Sequence, residues 1–479
     1  MKIRPIEWLL LSPELFLCGI AALILCLAVV TSKKSEKILA GVALAGIAGA
    51  ASLLIGILLR VPGRGVPILS GMFVVDNFSI YFKFLVLGSA ALTVLSSVRF
   101  VGDAPYPAGE YYGLVLFATL GTMFMASGDN LASIYVSLEL MALSSYVLAG
   151  YFKEQVKSIE AATKYFILGA FSSGVLLYGI SLLYGFSGKL GLPELAASFQ
   201  TLAPSRIATI GALLLLFGIL FKIAAVPFHV WAPDVYEGAP TPIAAFFSVG
   251  PKAGSYAILA RIFYVALPHF AADWKLIVAI AAALTLVVGN VAALLQTNVK
   301  RLLAYSSIAN AGYALLGVLG FSQGGIEAIE IYLLAYTFMN FGAFALVIFL
   351  ESKGYAGESI DDWKGLARRN PLIAAVMLIF LLSLAGIPTT AGFIGKYYLF
   401  AVAIRAGYPA LAVLAVLASA VSLFYYFRIV TAMYLSEGEG SPLKGSIGLT
   451  VTISACAVAT MVIGLAPQPF LSVVRRCLL

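Results

Sequence analysis

The feature that most constrains this chain is a series of apolar runs, each about 20 residues long, that recurs from one end to the other. About 20 apolar residues in a helix span the roughly 30 Å hydrocarbon core of a bilayer. Hydrophobic residues make up 62% of the 479 residues and charged residues 11%, against about 45–50% and about 25% in soluble domains. The chain is therefore predicted to be an all-α, polytopic membrane protein.

Fourteen of these runs are predicted to be transmembrane helices, joined by short loops with no soluble domain. They cover residues 13–31, 37–59, 76–98, 111–127, 130–151, 159–186, 205–231, 241–267, 274–296, 301–320, 326–351, 371–404, 409–434 and 446–467. An even number of crossings puts both termini on one side of the membrane. The distribution of Lys and Arg among the loops places that side outside the cytoplasm.

Two of the runs are predicted to be broken helices. As a single helix, residues 371–404 would measure about 51 Å at about 1.5 Å per residue, which is too long for the bilayer. The stretch AGIPTTAGFIGK (385–396) supplies glycines and a proline for an elbow, and Pro227 and Pro233 do so in the seventh run. Non-helical backbone at this depth must be buried or line a wet cavity. Paired breaks are typical of inverted-repeat transporters.

A self-comparison without gaps supports two repeats. At an offset of 167 residues, identities join the fifth and sixth runs to the tenth and eleventh, pairing Tyr146, Leu148, Gly150, Ile159, Glu160, Ala161 and Tyr165 with Tyr313, Leu315, Gly317, Ile326, Glu327, Ala328 and Tyr332. An offset of five crossings is odd, so the repeat is inverted. We expect an N-terminal three-helix segment (1–110), two inverted five-helix repeats (111–267 and 274–434) with helices 7 and 12 broken, and a C-terminal helix (435–479).

Charged residues inside the spans are the candidates for function. Lys222, Lys252 and Lys396 lie within apolar runs, and Glu139 is the only acidic residue predicted deep inside one. A charge at the bilayer centre costs roughly 2.5–3.5 kcal/mol by insertion scales. Burial brings the pKa values of lysine and glutamate toward neutrality, so such groups are suited to exchanging protons. Lys83, near a span end, is predicted instead to extend its ammonium group to the membrane surface.

Two further residues have both a structural and a functional interpretation. His229 follows the seventh-helix break. It either bonds carbonyl groups freed there or, as we favour, relays protons between Lys222 and Lys252, since imidazole titrates near neutral pH. Lys164 lies one turn after Glu160 on the same helix face, which predicts an i,i+4 ion pair. A place on the proton path is the alternative for Lys164, and the sequence leaves both open.

The chain itself is predicted to hold no cofactor and no metal. The four cysteines (Cys18, Cys26, Cys456 and Cys477) form no C-x-x-C motif, which argues against an iron–sulfur cluster. Two histidines are too few for two bis-histidine haems, and no phosphate-binding glycine motif occurs in a strand–helix context. The net charge of +8 is spread over many loops, so membrane lipid and not nucleic acid is the expected contact.

Three long motifs resemble the antiporter-like membrane subunits of respiratory NADH:quinone oxidoreductase (complex I). They are FKIAAVPFHVWAPDVYEGAPTPIAAFFSVGPKAG (221–254), QTNVKRLLAYSSIANAGY (296–313) and GIPTTAGFIGKYYLF (386–400). The resemblance implies fourteen helices, inverted repeats and a hydrophilic axis along the membrane midplane. By motif match it implies that Glu139 is the fifth-helix glutamate, Lys222 its seventh-helix partner, Lys252 the central lysine and Lys396 the twelfth-helix lysine. One departure is Asn310, where many relatives have histidine.

The resemblance implies a proton-translocating subunit without a redox centre. Quinone, NADH, FMN and iron–sulfur clusters would then be bound by other subunits, and the other membrane-arm subunits of complex I would be the partners. The alternatives are an Mrp-type cation/proton antiporter subunit, an uncoupled solute transporter that binds its ligand at the elbows, and a structural subunit without transport activity.

Overall fold

A computed structural model describes residues 4–30, 36–60, 63, 65–102, 106–201, 205–351, 357–438 and 446–477. Within these residues the regular secondary structure is helical, apart from one antiparallel hairpin. The hairpin consists of β1 (Val66–Ile68) and β2 (Phe73–Val75), in which Val66 pairs with Val75. The helices of the first half are α1 (Pro5–Leu10), α2 (Ser12–Val30), α3 (Glu36–Arg60), α4 (Asn77–Gly102), α5 (Ala108–Ser127), α6 (Leu131–Ala149), α7 (Val156–Ser187), α8 (Leu192–Thr201), α9 (Arg206–Lys222), α10 (Trp231–Gly238) and α11 (Thr241–Ala260).

The helices of the second half are α12 (Ala271–Leu294), α13 (Val299–Leu319), α14 (Gly325–Glu351), α15 (Leu366–Arg369), α16 (Pro371–Ala385), α17 (Ala391–Arg405), α18 (Pro409–Leu435), α19 (Ile447–Leu465) and α20 (Gln468–Val474). A π-helical turn, Arg261–Ala266, continues α11. Short 3₁₀ turns lie at Pro268–Phe270, Phe321–Gln323 and Ile360–Trp363.

Each predicted run contains a helix or a pair of helices. In the described parts of the chain, 11 helices are long and apolar enough to cross a membrane. The other three runs correspond to α5, to the pair α9 and α10, and to the pair α16 and α17. The all-α membrane fold is confirmed, whereas fourteen crossings remain a prediction.

The first break lies at Pro227, as predicted, whereas Pro233 lies in the first turn of the helix that follows. Helix α9 ends at Lys222, and α10 begins only at Trp231. Proline cannot donate a backbone hydrogen bond and clashes with the preceding helical turn. Two groups outside the α-helical ladder help to hold this non-helical segment: the amide of Val226 donates to Thr285 Oγ1 (2.9 Å), and the indole of Trp231 donates to the carbonyl of Phe221 (3.0 Å).

The second break also lies where predicted, between Ala385 and Ala391. Gly386 adopts φ +85°, and its amide donates to the carbonyls of Leu382 and Ser383. A left-handed glycine of this kind is the usual end of an α-helix. Beyond the elbow, the amide of Gly392 donates to Ser383 Oγ (3.0 Å).

The packing repeats along the chain. Helix α5 packs on α6 and α11, as α12 packs on α13 and α18. Helix α7 contacts α6, α9 and α10, as α14 contacts α13, α16 and α17. The two five-helix groups therefore use the same pairs of neighbours in the same order.

The prediction for Lys83 is wrong. Its Nζ lies 2.6 Å from Glu14 Oε1, and both side chains are only 1% exposed. Helix α2 provides the carboxylate, near its first turn. The buried carboxylate compensates the charge of the ammonium group, so Lys83 need not extend to the membrane surface. Removing either partner would leave an uncompensated buried charge.

Candidate functional site

Lys252 lies at the centre of the bundle. It is in the middle of α11, a helix buried along its whole length. Its Nζ donates to the hydroxyl (2.6 Å) and to the carbonyl (3.0 Å) of Ser307 on α13, and it lies 5.9 Å from the centre of the Tyr236 ring. In the part of the chain that the structure describes, no carboxylate forms an ion pair with it. The ammonium group is thus held by neutral oxygens and an aromatic face.

Lys396 reaches back across the second break. It lies on the second turn of α17, and its Nζ donates to the carbonyls of Leu384 (2.8 Å) and Ala385 (3.2 Å) at the end of α16. It also donates to Ser419 Oγ (2.9 Å) and lies 4.3 Å from the centre of the Tyr313 ring. The last carbonyls of a helix carry a partial negative charge. Although Lys396 follows the proline of the elbow in the sequence, its ammonium group therefore stabilises the C-terminal end of α16.

A hydroxyl pair joins the two helices that hold the partners of Lys252 and Lys396. The hydroxyls of Ser306 on α13 and Tyr426 on α18 lie 2.5 Å apart. Ser306 precedes the Lys252 partner Ser307 in the sequence, and the Lys396 partner Ser419 is on α18 with Tyr426. These hydroxyls can donate and accept protons, but among the described residues no side-chain hydrogen bond joins Ser306 to Ser307 or Tyr426 to Ser419.

Asn310 belongs to the same network. Its amide donates to the carbonyl of Ser306 (2.8 Å), and its oxygen accepts from the hydroxyl of Tyr332 (2.7 Å). An amide does not titrate, so Asn310 can hold a hydrogen-bonded chain in place without itself carrying a proton. The departure from histidine thus keeps a hydrogen-bonding side chain at this position.

Lys222 forms a second centre. It is the last residue of α9, and its Nζ donates to the hydroxyls of Tyr146 (3.2 Å) and Ser173 (3.5 Å). Glu139 acts electrostatically on Lys222, although no ion pair joins the two among the described residues. Glu139 is half-buried, between the exposed side chains Val136 and Leu143 on α6. The expected partners are therefore near one another but separate.

An aromatic layer separates the two centres. The rings of Tyr146 and Tyr165 lie 4.7 Å apart between centroids, Tyr165 stacks on Trp231 at 4.5 Å, and Trp231 meets Tyr236 at 6.3 Å. Tyr146 binds Lys222, and the Tyr236 ring faces Lys252. Among the described residues, no hydrogen bond connects the Lys222 group with the Lys252 group.

His229 does not bridge this gap. It lies in the segment between α9 and α10, half-buried, and next to the exposed Val230. Its Nδ1 is buried without a hydrogen-bond partner among the described residues, and neither Lys222 nor Lys252 contacts it. A relay through His229 stays a prediction that requires a rearrangement or intervening water.

Lys164 has a largely structural environment. Its side chain is 41% exposed, and its Nζ lies 2.6 Å from both Glu160 and Asp234. Asp234 also binds Arg301 (2.7 Å). The predicted pair with Glu160 is thus part of a network that ties α7 to α10 and α13, and within the described chain Lys164 does not contact Lys222.

The uncharged members of the site could not be identified from the sequence. Ser307, Tyr426 and Ser419 contact the lysines or their neighbours, as do Tyr146 and Ser173. Serine and tyrosine are common in membrane helices and carry no charge, so insertion cost does not single them out. The available signal was the polar cluster SSIAN within the second motif. Among the described residues, no group of three or more His, Cys, Asp or Glu side chains is placed to hold a metal ion.

Two broken helices, facing a buried row of lysines that neutral oxygens hold, define the antiporter-like class of membrane proteins. The sequence profile described as "NADH:quinone oxidoreductase/Mrp antiporter, TM" matches residues 128–422, and the chain belongs to this family. NADH-quinone oxidoreductase subunit N of Trichlorobacter lovleyi is 43% identical over 97% of this chain and 96% of its own length.

Solved structures agree with this assignment. A chain of respiratory complex I from Thermus thermophilus is 34% identical, with a TM-score of 0.82, and the match covers 96% of this chain and 98% of that one. A chain of the Mrp complex from Dietzia shares the fold, with a TM-score of 0.86 at 24% identity over 99% of this chain and 97% of that one.

Proposed function

We propose that this chain is a proton-translocating membrane subunit of NADH:quinone oxidoreductase, with no redox centre of its own. The observation that carries the proposal is the hydroxyl pair between the helices that hold the partners of two buried lysines, Lys252 and Lys396. Neutral oxygens stabilise an ammonium group without fixing it as a carboxylate would, so such a lysine can both bind and release a proton.

The proposed path uses the residues that the sequence singled out. Glu139 sets the charge state of Lys222, protons pass from Lys222 to Lys252 when the aromatic layer admits water, and the hydroxyl groups lead on to Lys396. Direct proton transfer needs heavy atoms about 2.6–3.2 Å apart or one bridging water. His229 and Lys164 are secondary candidates, on the break and at the membrane surface respectively.

Electron transfer takes place elsewhere in this proposal. NADH, FMN, iron–sulfur clusters and quinone bind other subunits, and their energy reaches this chain through neighbouring membrane-arm subunits. Glu139 suits such coupling because it lies on a face of α6 that reaches the protein surface at Val136 and Leu143. A charge or conformational change in a neighbour can act on it there.

The remaining proposals concern organisation and orientation. The matching contacts of α5–α11 and α12–α18 support inverted repeats at residues 111–267 and 274–434, preceded by a three-helix segment (1–110) and followed by a C-terminal helix (435–479). We place the chain in a bacterial inner membrane with both termini on the periplasmic side, as the loop charges predict.

The test is proton pumping by the whole complex in proteoliposomes. We expect Lys222→Ala and Lys252→Ala to assemble normally and to lower the number of protons pumped per electron pair. Lys153→Ala, which removes an exposed lysine, is the control and should leave that ratio unchanged. A complex that assembles with both central substitutions and pumps normally would exclude proton transfer through this chain and favour a structural role.

The fold shared with the Mrp complex supports one alternative, a subunit of a cation/proton antiporter. That function predicts exchange of sodium ions for protons without NADH or quinone, and co-purification with other antiporter subunits. Quinone reductase activity in the purified assembly, with no sodium dependence of proton movement, would exclude it.

A further inference from the structure

A fully buried acidic residue lies near the start of α14. Glu330, on the second turn of that helix, is 0% exposed. Both of its carboxyl oxygens are buried without a hydrogen-bond partner among the described residues. An ionised carboxylate in this environment costs several kcal/mol. Burial therefore favours the protonated form of Glu330, and no hydrogen-bond partner among the described residues stabilises its charged form.

Its position along the bundle lies between the centre and one end. Asn340 on α14 donates to Ser248 on α11 (2.7 Å), which fixes the relative height of these two antiparallel helices. At about 1.5 Å of rise per residue along the helix axis, the level of Glu330 is about 9 Å beyond that of Lys252 and about 5 Å short of that of Arg261.

Polar groups lie at both ends of the interval between the level of Lys252 and that of Glu330. Thr337 lies on the same face of α14 as Glu330, and Asn340 follows one turn later with its Oδ1 buried and unpartnered. On the other side, the hydroxyl of Tyr81 donates to the carbonyl of Glu330 (2.7 Å). Polar side chains of α14 therefore lie at the level of Lys252 (Thr337 and Asn340) and again at Glu330, nearer the membrane end at which α4 begins.

A charged cluster lies at that end. We call Asp76, Asp129 and Arg261 the Asp76 cluster. Asp76 pairs with Arg261 at 2.7 Å, and Arg261 also donates to the carbonyl of Ala126. Burial alone would raise the pKa of Asp76, but Arg261 and Ser79 outweigh it and hold that pKa below its usual range. Burial raises the pKa of Asp129 to about 6, even though Arg261 opposes the shift.

The charged and titratable groups around Glu330 come from several elements. Asp76, in front of α4, and Glu327, on α14 itself, act electrostatically on Glu330. Tyr81 on α4 and Cys477, after α20, also lie within its electrostatic range. Arg475 is occupied by Glu327 (3.0 Å), so it is not a counter-ion for Glu330.

We propose that Glu330 carries protons between Lys252 and the Asp76 cluster, so that the second half of the path opens to the side of the membrane on which both termini lie. In this step Glu330 releases its proton to water at the Asp76 cluster, and the resulting carboxylate takes a proton from Nζ of Lys252, which is left as a neutral amine. Water bridges the distances that side chains do not span. The inference rests on the proposed function and adds a release site to it.

The experiment measures protons pumped per electron pair by the whole complex in proteoliposomes, for Glu330→Gln beside Lys252→Ala. The amide is nearly isosteric and cannot carry a proton. Glu194→Gln, which removes an exposed carboxylate paired with Lys189 (3.8 Å), is the matched control. We expect Glu330→Gln to lower the ratio as far as Lys252→Ala does, with normal assembly and with Glu194→Gln unchanged.

An infrared difference spectrum gives a readout that a merely structural role would not move. The wild type should show a deuterium-sensitive carbonyl band of a protonated carboxylic acid during turnover, and Glu330→Gln should lack it. If Glu330→Gln does not assemble, Glu330→Asp takes its place and should shift the band and lower the ratio. Normal pumping by the Glu330 variant with loss in Lys252→Ala overturns the inference alone. Normal pumping by both removes the proposed function as well.

Discussion

The buried pair of Glu14 and Lys83 gives the sharpest energetic prediction. The two side chains are 1% exposed and meet at 2.6 Å, and the carboxyl oxygens of Glu14 have no other partner among the described residues. Glu14→Gln leaves the lysine ammonium buried without a counter-ion. Breaking a buried pair in this way costs about 3–5 kcal/mol, and a lone charge in a membrane helix costs about 2.5–3.5 kcal/mol on insertion scales. We expect the free energy of unfolding to fall by about 3 kcal/mol.

The double variant Glu14→Leu, Lys83→Met is the decisive comparison. It removes both charges and keeps the volume nearly constant, and such replacements are often neutral or stabilising. We expect it to lie within about 1 kcal/mol of the wild type in detergent-titration unfolding of the full-length chain in mixed micelles. A cycle completed with Glu14→Leu and Lys83→Met as the single variants isolates the pair energy. If the double variant is less stable than Glu14→Gln alone, the pair is not held by charge compensation and the reasoning is refuted.

Three other predictions follow from local geometry. Trp231→Ala removes the ring that Tyr165 stacks on and should raise the passive proton leak of the reconstituted complex several-fold, measured as the decay of an imposed pH gradient; an unchanged leak would contradict a barrier role for the layer. Gly392→Ala would place a Cβ against the carbonyl of Ser383 and should cost about 1–3 kcal/mol, seen as reduced assembly, whereas Gly174→Ala, in open space, should be tolerated. Because the pKa of Asp129 is raised to about 6, its protonation stabilises the folded state below pH 4, and this contribution is lost as pH rises through 6; Asp129→Asn should flatten that part of the stability profile, and an unchanged profile would show that Asp129 is not the group responsible.

The membrane helices and their breaks could be predicted because single residues determine them. An apolar run of sufficient length has few alternatives in a bilayer, and Pro227 and Gly386 each disfavour a continuous α-helix at their own position. The identity of the central lysines follows from the same argument, since a charge within a span is expensive.

What the sequence did not predict depends on contacts between distant segments. Glu14 and Lys83 are far apart in sequence, and neither residue alone indicates an ion pair. Glu330 lies near the start of its apolar run, and hydropathy does not show which end residues are covered by neighbouring helices. The position of His229 depends on the path of the segment around it, and helical periodicity does not describe a segment that is not a helix.

The aromatic layer between Lys222 and Lys252 has a consequence for energy conservation. In a respiring membrane each proton on the outer side is driven inward by about 2.3 kcal/mol per 100 mV of membrane potential. A continuous hydrogen-bonded chain through the protein would dissipate that gradient at rest. In the proposed path, the stacked rings between the two lysine groups keep them apart until water enters between them. The layer would then act as a gate. The same groups would conduct protons during turnover and block the return of protons between turnovers.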